Sequence, residues 1–485
     1  MALGGLGHKV VSGVAWSFSE KLLSMVIQMA VSIIVARSLS PDDFGVMAIL
    51  TFFTSVALTL VDSGFSQTLI RKSAPTDEEY ASVLGFNVAM SLLLYVVLVA
   101  CAPMVAEFYG REVIADVAPV LFLVLPINSL CVVQTVMFTR EFRFKLLSKI
   151  VFLSSLISGV VAVVMALAGC GIWSLVAQRL LMMGIKAAAF WWIRRWRSRE
   201  RFSMALLRTM APFSLRLLAT DLIAAIYNNV AQLFIGKIYS AHSLGFYSQA
   251  QKLKDLPVTS TVQAVQGVTY PALAKIADVE DKFSAGYLRI INLLSFALFP
   301  IMLGLVAVAP EMFMLLLGEK WMPTVPYFEI LALSGIFYPL AVVSYNIIKV
   351  RSDGRIILRL EIVKRVVMTA ILAITIPLGI EAVAWGMTTM AAVDFIVNLA
   401  AAMRYMNIGI ALVLRALIPQ FVVAALMFVV LHIINPYLLT LGSGAHLVAD
   451  VAIGAVVYLS LATTFRLRAL REGLALLAAM RSKSA

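Results

Sequence analysis

Apolar segments long enough to cross a lipid bilayer follow one another along the whole chain. A membrane-spanning helix needs about 20 mostly apolar residues. Of the 485 residues, 62% are hydrophobic and 13% are charged, whereas a soluble protein carries about 25% charged residues. The chain is therefore predicted to be an all-α, polytopic membrane protein with about fourteen spans, at residues 12–36, 43–70, 81–106, 113–139, 147–168, 171–193, 210–236, 243–271, 284–309, 325–348, 357–378, 380–403, 412–434 and 445–465.

Basic residues lie in alternate loops between these segments. One set of loops carries Arg71 and Lys72, the arginines of 194–201 and the basic group of 466–483, whereas the opposite loops are short and hold few basic residues. Because basic loops remain cytoplasmic, both termini are predicted to lie inside. This topology accounts for the net charge of +13, so nucleic acid is not expected as a partner.

Motifs for catalysis and metal binding are missing from the sequence. The three cysteines, Cys101, Cys131 and Cys170, lie in or at the edge of apolar runs, and the four histidines are scattered. Neither a P-loop nor a serine elbow is present, and no loop is long enough to fold as a catalytic domain. No catalytic residue, metal or cofactor is expected, and the chain is not predicted to be an enzyme.

Two short polar stretches resemble each other at a spacing of 200 residues. Residues 36–45 (ARSLSPDDFG) and 236–245 (GKIYSAHSLG) each separate two long apolar segments. A membrane protein built from two similar halves often binds its substrate between them. Since both stretches are predicted on the outer side, the repeat is parallel, with an N-terminal lobe at 1–200, a C-terminal lobe at 201–406, and two additional helices with a basic tail at 407–485.

Polar residues form stripes along the first, second, seventh and eighth spans, where they recur at three- and four-residue steps. Such stripes fit either a cavity shared by the lobes or hydrogen bonds between packed helices. Packing is favoured for the small hydroxyls, and the cavity is favoured for the charged residues, because charge in a packed membrane interface costs more. Two interpretations stay open for Lys364 and Arg365: snorkelling to the cytoplasmic surface or a cationic mouth that attracts phosphate.

The resulting candidates form a mixed, slightly basic set, which favours an anionic or sugar-phosphate substrate. The substrate-binding candidates are Lys21, Arg216, Lys252, Lys254, Lys364, Arg365, Asn228, Asn229, Gln263 and Gln266. The candidates for coupling or charge balance are Glu20, Asp62, Asp221, Asp255 and Glu361.

Several runs of the sequence resemble a known family. They are 15–21 (AWSFSEK), 36–45, 62–72 (DSGFSQTLIRK), 171–178 (GIWSLVAQ), 227–229 (YNN) and 317–321 (LGEKW). Over roughly residues 10–420 the chain is similar to Wzx-type exporters of lipid-linked oligosaccharides, the colanic-acid-type exporters in particular. These belong to the superfamily that also holds the MATE drug exporters and the lipid II flippases.

The resemblance implies two lobes around a central cavity and a position in the bacterial inner membrane. It implies a flippase that moves an undecaprenyl-diphosphate-linked glycan to the periplasmic leaflet by alternating access. The expected partners are the lipid-linked glycan and membrane lipids, with polysaccharide polymerase and assembly proteins as further partners.

Two other functions remain open from the sequence. The first is an ion-coupled small-molecule antiporter of the MATE type. The second is a membrane enzyme that polymerises or ligates the glycan, which would need a substantial outer loop with catalytic residues. The short outer loops argue against the enzyme.

Overall fold

The structure, a computed structural model, describes residues 26–196, 200–275, 280–352, 355–406, 408–438 and 442–472. Within these ranges, the side chains of 263–275, 280–282, 355, 358 and 443 are not part of the description.

The described chain contains seventeen numbered α-helices and a short helical segment at 468–472, and it contains no β-strand within those ranges. In chain order they are α1 (Val26–Ser38), α2 (Pro41–Asp62), α3 (Phe65–Arg71), α4 (Asp77–Tyr109), α5 (Val113–Leu121), α6 (Val124–Arg140), α7 (Phe144–Leu167), α8 (Trp173–Ile193), α9 (Met204–Ile238), α10 (Ala241–Lys275), α11 (Glu280–Ala307), α12 (Ala309–Leu316), α13 (Val325–Arg351), α14 (Arg355–Thr375), α15 (Ile380–Met403), α16 (Ile410–Leu438) and α17 (Ser443–Thr464).

The predicted fold class, an all-α polytopic membrane protein, is confirmed, but the count of fourteen spans is not. Ten segments of the described chain are long and apolar enough to cross a bilayer. The predicted span 12–36 lies largely outside the described residues. The other three, 171–193, 243–271 and 357–378, are the helices α8, α10 and α14, which carry charged residues in their interiors.

Side-chain caps fix where the helices of the 200-residue repeat begin. Ser40 caps α2, since the backbone N–H of Asp43 donates to its Oγ (3.3 Å) and the Asp43 carboxylate accepts from the backbone N–H of Ser40 (2.9 Å). Ser240 does the same at α10, where the backbone N–H of Ser243 donates to its Oγ (3.0 Å). Such caps satisfy donors that the first helical turn leaves without partners. The repeat therefore marks two equivalent helix starts.

Backbone contacts divide the chain into two units, residues 1–248 and 249–485. In the first unit α7 packs on α8, α2 on α9 and α4 on α6. In the second, α13 packs on α15 and α11 on both α13 and α16, around an apolar core that includes Phe283, Tyr287 and Leu298. The predicted lobe boundaries at 200 and 406 stay a prediction.

Candidate functional site

A buried lysine lies between two carboxylates in the second unit. The side chain of Lys364 on α14 is 8% exposed, and its Nζ lies 2.8 Å from Oε1 of Glu361 and 3.7 Å from Oδ1 of Asp394 on α15. Nη2 of Arg365 lies 3.4 Å from Oε2 of the same glutamate. We call these four residues the charge network.

Helical spacing explains why three members of the network meet. Glu361, Lys364 and Arg365 stand three and four residues apart, so their side chains share one face of α14. The chain then reverses through Gly379, whose φ of 119° is open to glycine but strained for other residues. This reversal lets α15 pack against α14 and brings Asp394 to the same face.

Two tyrosines extend the network across α13. The ring centroid of Tyr345 lies 5.2 Å from Nζ of Lys364 and 4.7 Å from Nζ of Lys349, so one aromatic ring contacts two cations. Tyr338, nearly two turns earlier, lies within electrostatic reach of both Asp394 and Asp255.

The predicted charges of α10 lie next to this array. Nζ of Lys254 lies 2.6 Å from Oδ1 of Asp255, and the lysine side chain is only 13% exposed. Lys252 is exposed. The second unit therefore holds five of the predicted site residues in two groups: the pair Lys254 and Asp255, and the network members Glu361, Lys364 and Arg365.

In the first unit, the structure brings together Asp62 and Asp221. Asp62 ends α2, accepts a hydrogen bond from the Ser66 hydroxyl and lies within electrostatic reach of Asp221 on α9. Close by in sequence, the hydroxyls of Thr68 and Ser214 hydrogen-bond at 2.7 Å. These hydroxyls therefore join α3 to α9 directly, which is the packing role expected for small hydroxyl residues.

The remaining predicted residues are placed less specifically. Arg216 and Asn228 are exposed on α9. The Asn229 amide donates to the carbonyl oxygen of Ala225 on its own helix at 2.9 Å. Glu20 and Lys21 lie outside the described residues, as do the side chains of Gln263 and Gln266, whose backbones belong to α10.

Sequence reasoning missed Asp394, although a signal for it was present. It is one of only two charged residues in the 24-residue helix α15, and the rule that selected the other intramembrane charges applies to it equally. The candidates selected from the sequence were six cations and five anions. With Asp394 added, the set contains six cations and six anions, so it is no longer slightly basic. The charge network itself, with two cations and two anions, is neutral.

A second site of close contact lies at the 200-residue repeat. A Cβ added to Gly45 would lie 1.7 Å from the carbonyl oxygen of Ala241, and one added to Gly245 would lie 1.9 Å from that of Pro41. The two contacts are reciprocal, since each glycine of one stretch meets the helix start of the other. Only a residue without a Cβ permits this approach.

An ionic cluster flanks the reciprocal glycine contact. Nδ1 of His242 lies 2.8 Å from Oδ2 of Asp42, and the other carboxylate oxygen of Asp42 accepts from Arg111. Asp42 and His242 occupy equivalent positions of the repeat. The sequence repeat is therefore also a structural contact between its two copies.

Replacing Lys364 by methionine is expected to lower the free energy of unfolding by about 3–5 kcal/mol, since removal of one partner leaves buried charge uncompensated. The measurement is denaturant unfolding of the purified protein in detergent micelles. Arg359→Met, at an exposed position of the same helix, is the control and should change little. Adding Asp394→Asn to the Lys364 variant should recover part of the loss. Equal losses in the Lys364 and Arg359 variants would contradict a stabilising network.

Replacing Gly45 by valine is expected to push the starts of α2 and α10 apart, because a side chain cannot occupy the space of the Ala241 carbonyl. Spin labels on Ser38 and His242, in a background without the native cysteines, would report a longer distance by pulsed electron paramagnetic resonance. Gly184→Val is the matched control, since a Cβ there meets no atom within 4 Å. An unchanged distance in the Gly45 variant would refute the contact.

Comparison with known sequences assigns the chain to a family. Residues 34–326, more than half of the chain, match the family described as "polysaccharide biosynthesis protein". The chain is 25% identical over 334 residues to the teichuronic acid biosynthesis protein TuaB of Bacillus subtilis, covering 68% of each protein. It is also 25% identical over 331 residues to the succinoglycan biosynthesis transport protein ExoT of Rhizobium meliloti, covering 68% of this chain and 67% of that one.

Solved structures share the fold at lower identity. The lipid II flippase MurJ in an inward closed conformation is 14% identical with a TM-score of 0.73, covering 92% of this chain and 98% of that one. An inward-facing multidrug resistance MATE transporter of the MOP superfamily is 15% identical with a TM-score of 0.61, covering 79% and 94%. The resemblance identified from the sequence motifs is thereby confirmed.

Proposed function

The chain belongs to the polysaccharide biosynthesis protein family, and on that premise we propose that it flips a lipid-linked oligosaccharide repeat unit across the bacterial inner membrane. The substrate is a glycan on undecaprenyl diphosphate, moved from the cytoplasmic to the periplasmic leaflet by alternating access. Both termini lie in the cytoplasm, as the basic loops indicate. The product feeds a surface or secreted polysaccharide.

The observation that carries this proposal is the charge network on α14 and α15. Charged side chains at membrane depth are costly and mark substrate or ion pathways. Lys364 and Arg365 offer the two kinds of cation that bind phosphate. The lysine ammonium is a compact charge, and the planar arginine guanidinium can donate two parallel hydrogen bonds to one phosphate. Because Glu361 and Asp394 already neutralise them, a diphosphate binds there by taking over from the carboxylates as the anionic partner.

The other predicted residues take roles that suit their chemistry. Lys252, Lys254 and Arg216 meet the diphosphate or acidic sugars. Asn228, Asn229, Gln263 and Gln266 hydrogen-bond the sugar hydroxyls. Glu20, Asp62, Asp221 and Asp255 balance these charges or carry a coupling proton, and Lys21 adds a further cation. Polysaccharide polymerase and assembly proteins receive the flipped product.

The names of the relatives support this function over catalysis. ExoT is named for transport in succinoglycan biosynthesis and MurJ for flipping lipid II. The first name describes transport and the second describes flipping, and neither describes bond formation. A MATE-type antiport of small molecules is the alternative, because the fold is shared with a multidrug transporter.

Deletion of the protein is expected to trap the lipid-linked repeat unit on the cytoplasmic face. A membrane-impermeant glycosidase added to spheroplasts should cleave the lipid-linked glycan of the wild type. In spheroplasts of the deletion strain the glycan should stay intact. Lys364→Gln with Arg365→Gln should behave like the deletion, whereas Arg359→Gln should complement it. Cleavage of the glycan in the deletion strain would refute the proposal. A deletion strain that instead gains drug susceptibility, with normal glycan exposure, would favour the antiporter.

A further inference from the structure

A second group of buried ionisable side chains lies in the second unit, apart from the charge network. It is built from α12, α16 and α17, which pack on one another through α17. His446 and Asp450 stand one turn apart on α17, and 4% and 1% of their surfaces are exposed. Nε2 of His446 lies 3.4 Å from Oδ2 of Asp450. We call His446, Asp450 and Glu311 the acidic triad.

Glu311 of α12 completes the triad from another part of the chain. One of its carboxylate oxygens accepts a hydrogen bond of 3.1 Å from the Asn435 amide of α16, 124 residues away in sequence. Glu311 also lies within electrostatic reach of Asp450. Two carboxyl groups of the second unit therefore interact electrostatically, and one of them is almost wholly buried.

Much of the hydrogen-bonding capacity of this group is left unused. Both carboxylate oxygens of Asp450, the second oxygen of Glu311 and Nε2 of His446 are buried without a hydrogen-bond partner. Within the described part of the chain, neither carboxyl group pairs with a lysine or an arginine. This contrasts with the charge network, where each carboxylate has a cation.

The elements packed around the triad carry more acids than bases near it, and the 3-10 turn Glu319–Thr324, which packs on α12, adds both Glu319 and Lys320. Helix α16 contributes His432, stacked on Phe428, and α13 contributes Glu329, which interacts with Glu311 electrostatically. The charged residues of α11 lie in its first turns, where Arg289 pairs with Glu472 at the opposite end of the bundle. The site therefore carries excess negative charge whenever its acids are ionised.

A buried carboxylate that accepts no hydrogen bond and pairs with no lysine or arginine is strongly disfavoured, and it becomes stable when it is neutralised. We propose that the acidic triad is a proton-binding site. A proton that arrives on the His446 imidazole passes from Nε2 to Oδ2 of Asp450, which leaves a neutral imidazole and a neutral carboxylic acid. Asn435 near the end of α16 and His446 near the start of α17 place the triad towards the end of the bundle that the loop charges predict to be the outer one.

A proton fits the triad better than a metal ion does. No group of three or more His, Cys, Asp and Glu side chains in the described residues has metal-binding geometry. The hard cations Na⁺, Ca²⁺ and Mg²⁺ prefer cages of oxygen ligands, whereas this site presents an imidazole next to a carboxyl group. Imidazole titrates near physiological pH and is the usual proton carrier there.

The inference goes beyond the proposed function, because it names an energy source that the flippase would use: a proton taken up from the outer side. The site also lies partly outside the region that matches the family, since that region ends at residue 326. Helices α16 and α17, for which the sequence motifs indicate no role, thereby gain one.

Infrared spectroscopy of the purified full-length protein in nanodiscs tests the triad without any glycan. The C=O stretch of a protonated carboxylic acid should appear at neutral pH and lose intensity as the pH rises. Asp450→Asn should remove a component of this band. In a separate variant, Glu311→Gln should shift the pH at which the Asp450 component loses its intensity. Glu381→Gln, at an exposed carboxyl group of the same unit, is the matched control and should leave this titrating component unchanged.

Two results would overturn the proton site. One is a spectrum of the Asp450→Asn variant that matches the wild type at every pH. The other is a wild-type band that changes with added NaCl at constant pH, which would assign the site to a cation. If Asp450→Asn does not fold, His446→Gln provides the same test, because loss of the proton carrier must alter the titration. Since no glycan is present, these outcomes are independent of the flippase assay.

Discussion

The cost of placing charge in a low-dielectric interior constrains this molecule more than any other interaction. A lysine as buried as Lys364 is tolerated because Glu361 and Asp394 accompany it. The pairing ties α14 to α15, and Tyr345 ties the same lysine to α13. The positions of these three helices therefore depend on the pairing of the Lys364 ammonium group with carboxylates. A diphosphate that enters the network alters this balance directly, which connects the stability of the fold to its proposed function.

The acidic triad of the second unit differs from the charge network in how its buried charges are compensated. The acidic triad holds carboxyl groups without cations, so protonation rather than pairing makes it stable. One unit thus contains both the network that we propose binds an anion and the triad that we propose binds a proton.

Much of the fold was predictable because it follows from local patterns. Helix positions come from apolar segments of bilayer length, and the repeat at 36–45 and 236–245 correctly indicated two equivalent helix starts. The reciprocal glycine contact was only implied, since nothing in the sequence states that the two copies touch. The predicted spans at α8, α10 and α14 are not among the ten apolar segments of the described chain, because charged residues in their interiors lower their hydropathy.

The candidate site was less predictable, for a physical reason. Glu361, Lys364 and Arg365 share a helix face and could be grouped by spacing alone. Asp394 joins them across an interhelical packing contact, and Glu311 meets Asp450 across 139 residues of chain, so no periodicity connects them. Lone acids in apolar helices, such as Asp394 and Asp450, were nevertheless visible in the sequence. Each marked a contact whose partner only the structure supplies.

Reconstituted flipping measures the central claim most directly. Purified protein in liposomes that contain an undecaprenyl-diphosphate-linked oligosaccharide should let an external glycosidase cleave glycan from the inner leaflet as well as the outer. The Lys364→Gln, Arg365→Gln variant should slow this second phase strongly, and Arg359→Gln should not. Cleavage confined to the outer leaflet, as in liposomes without protein, would contradict the assignment of this chain as a flippase.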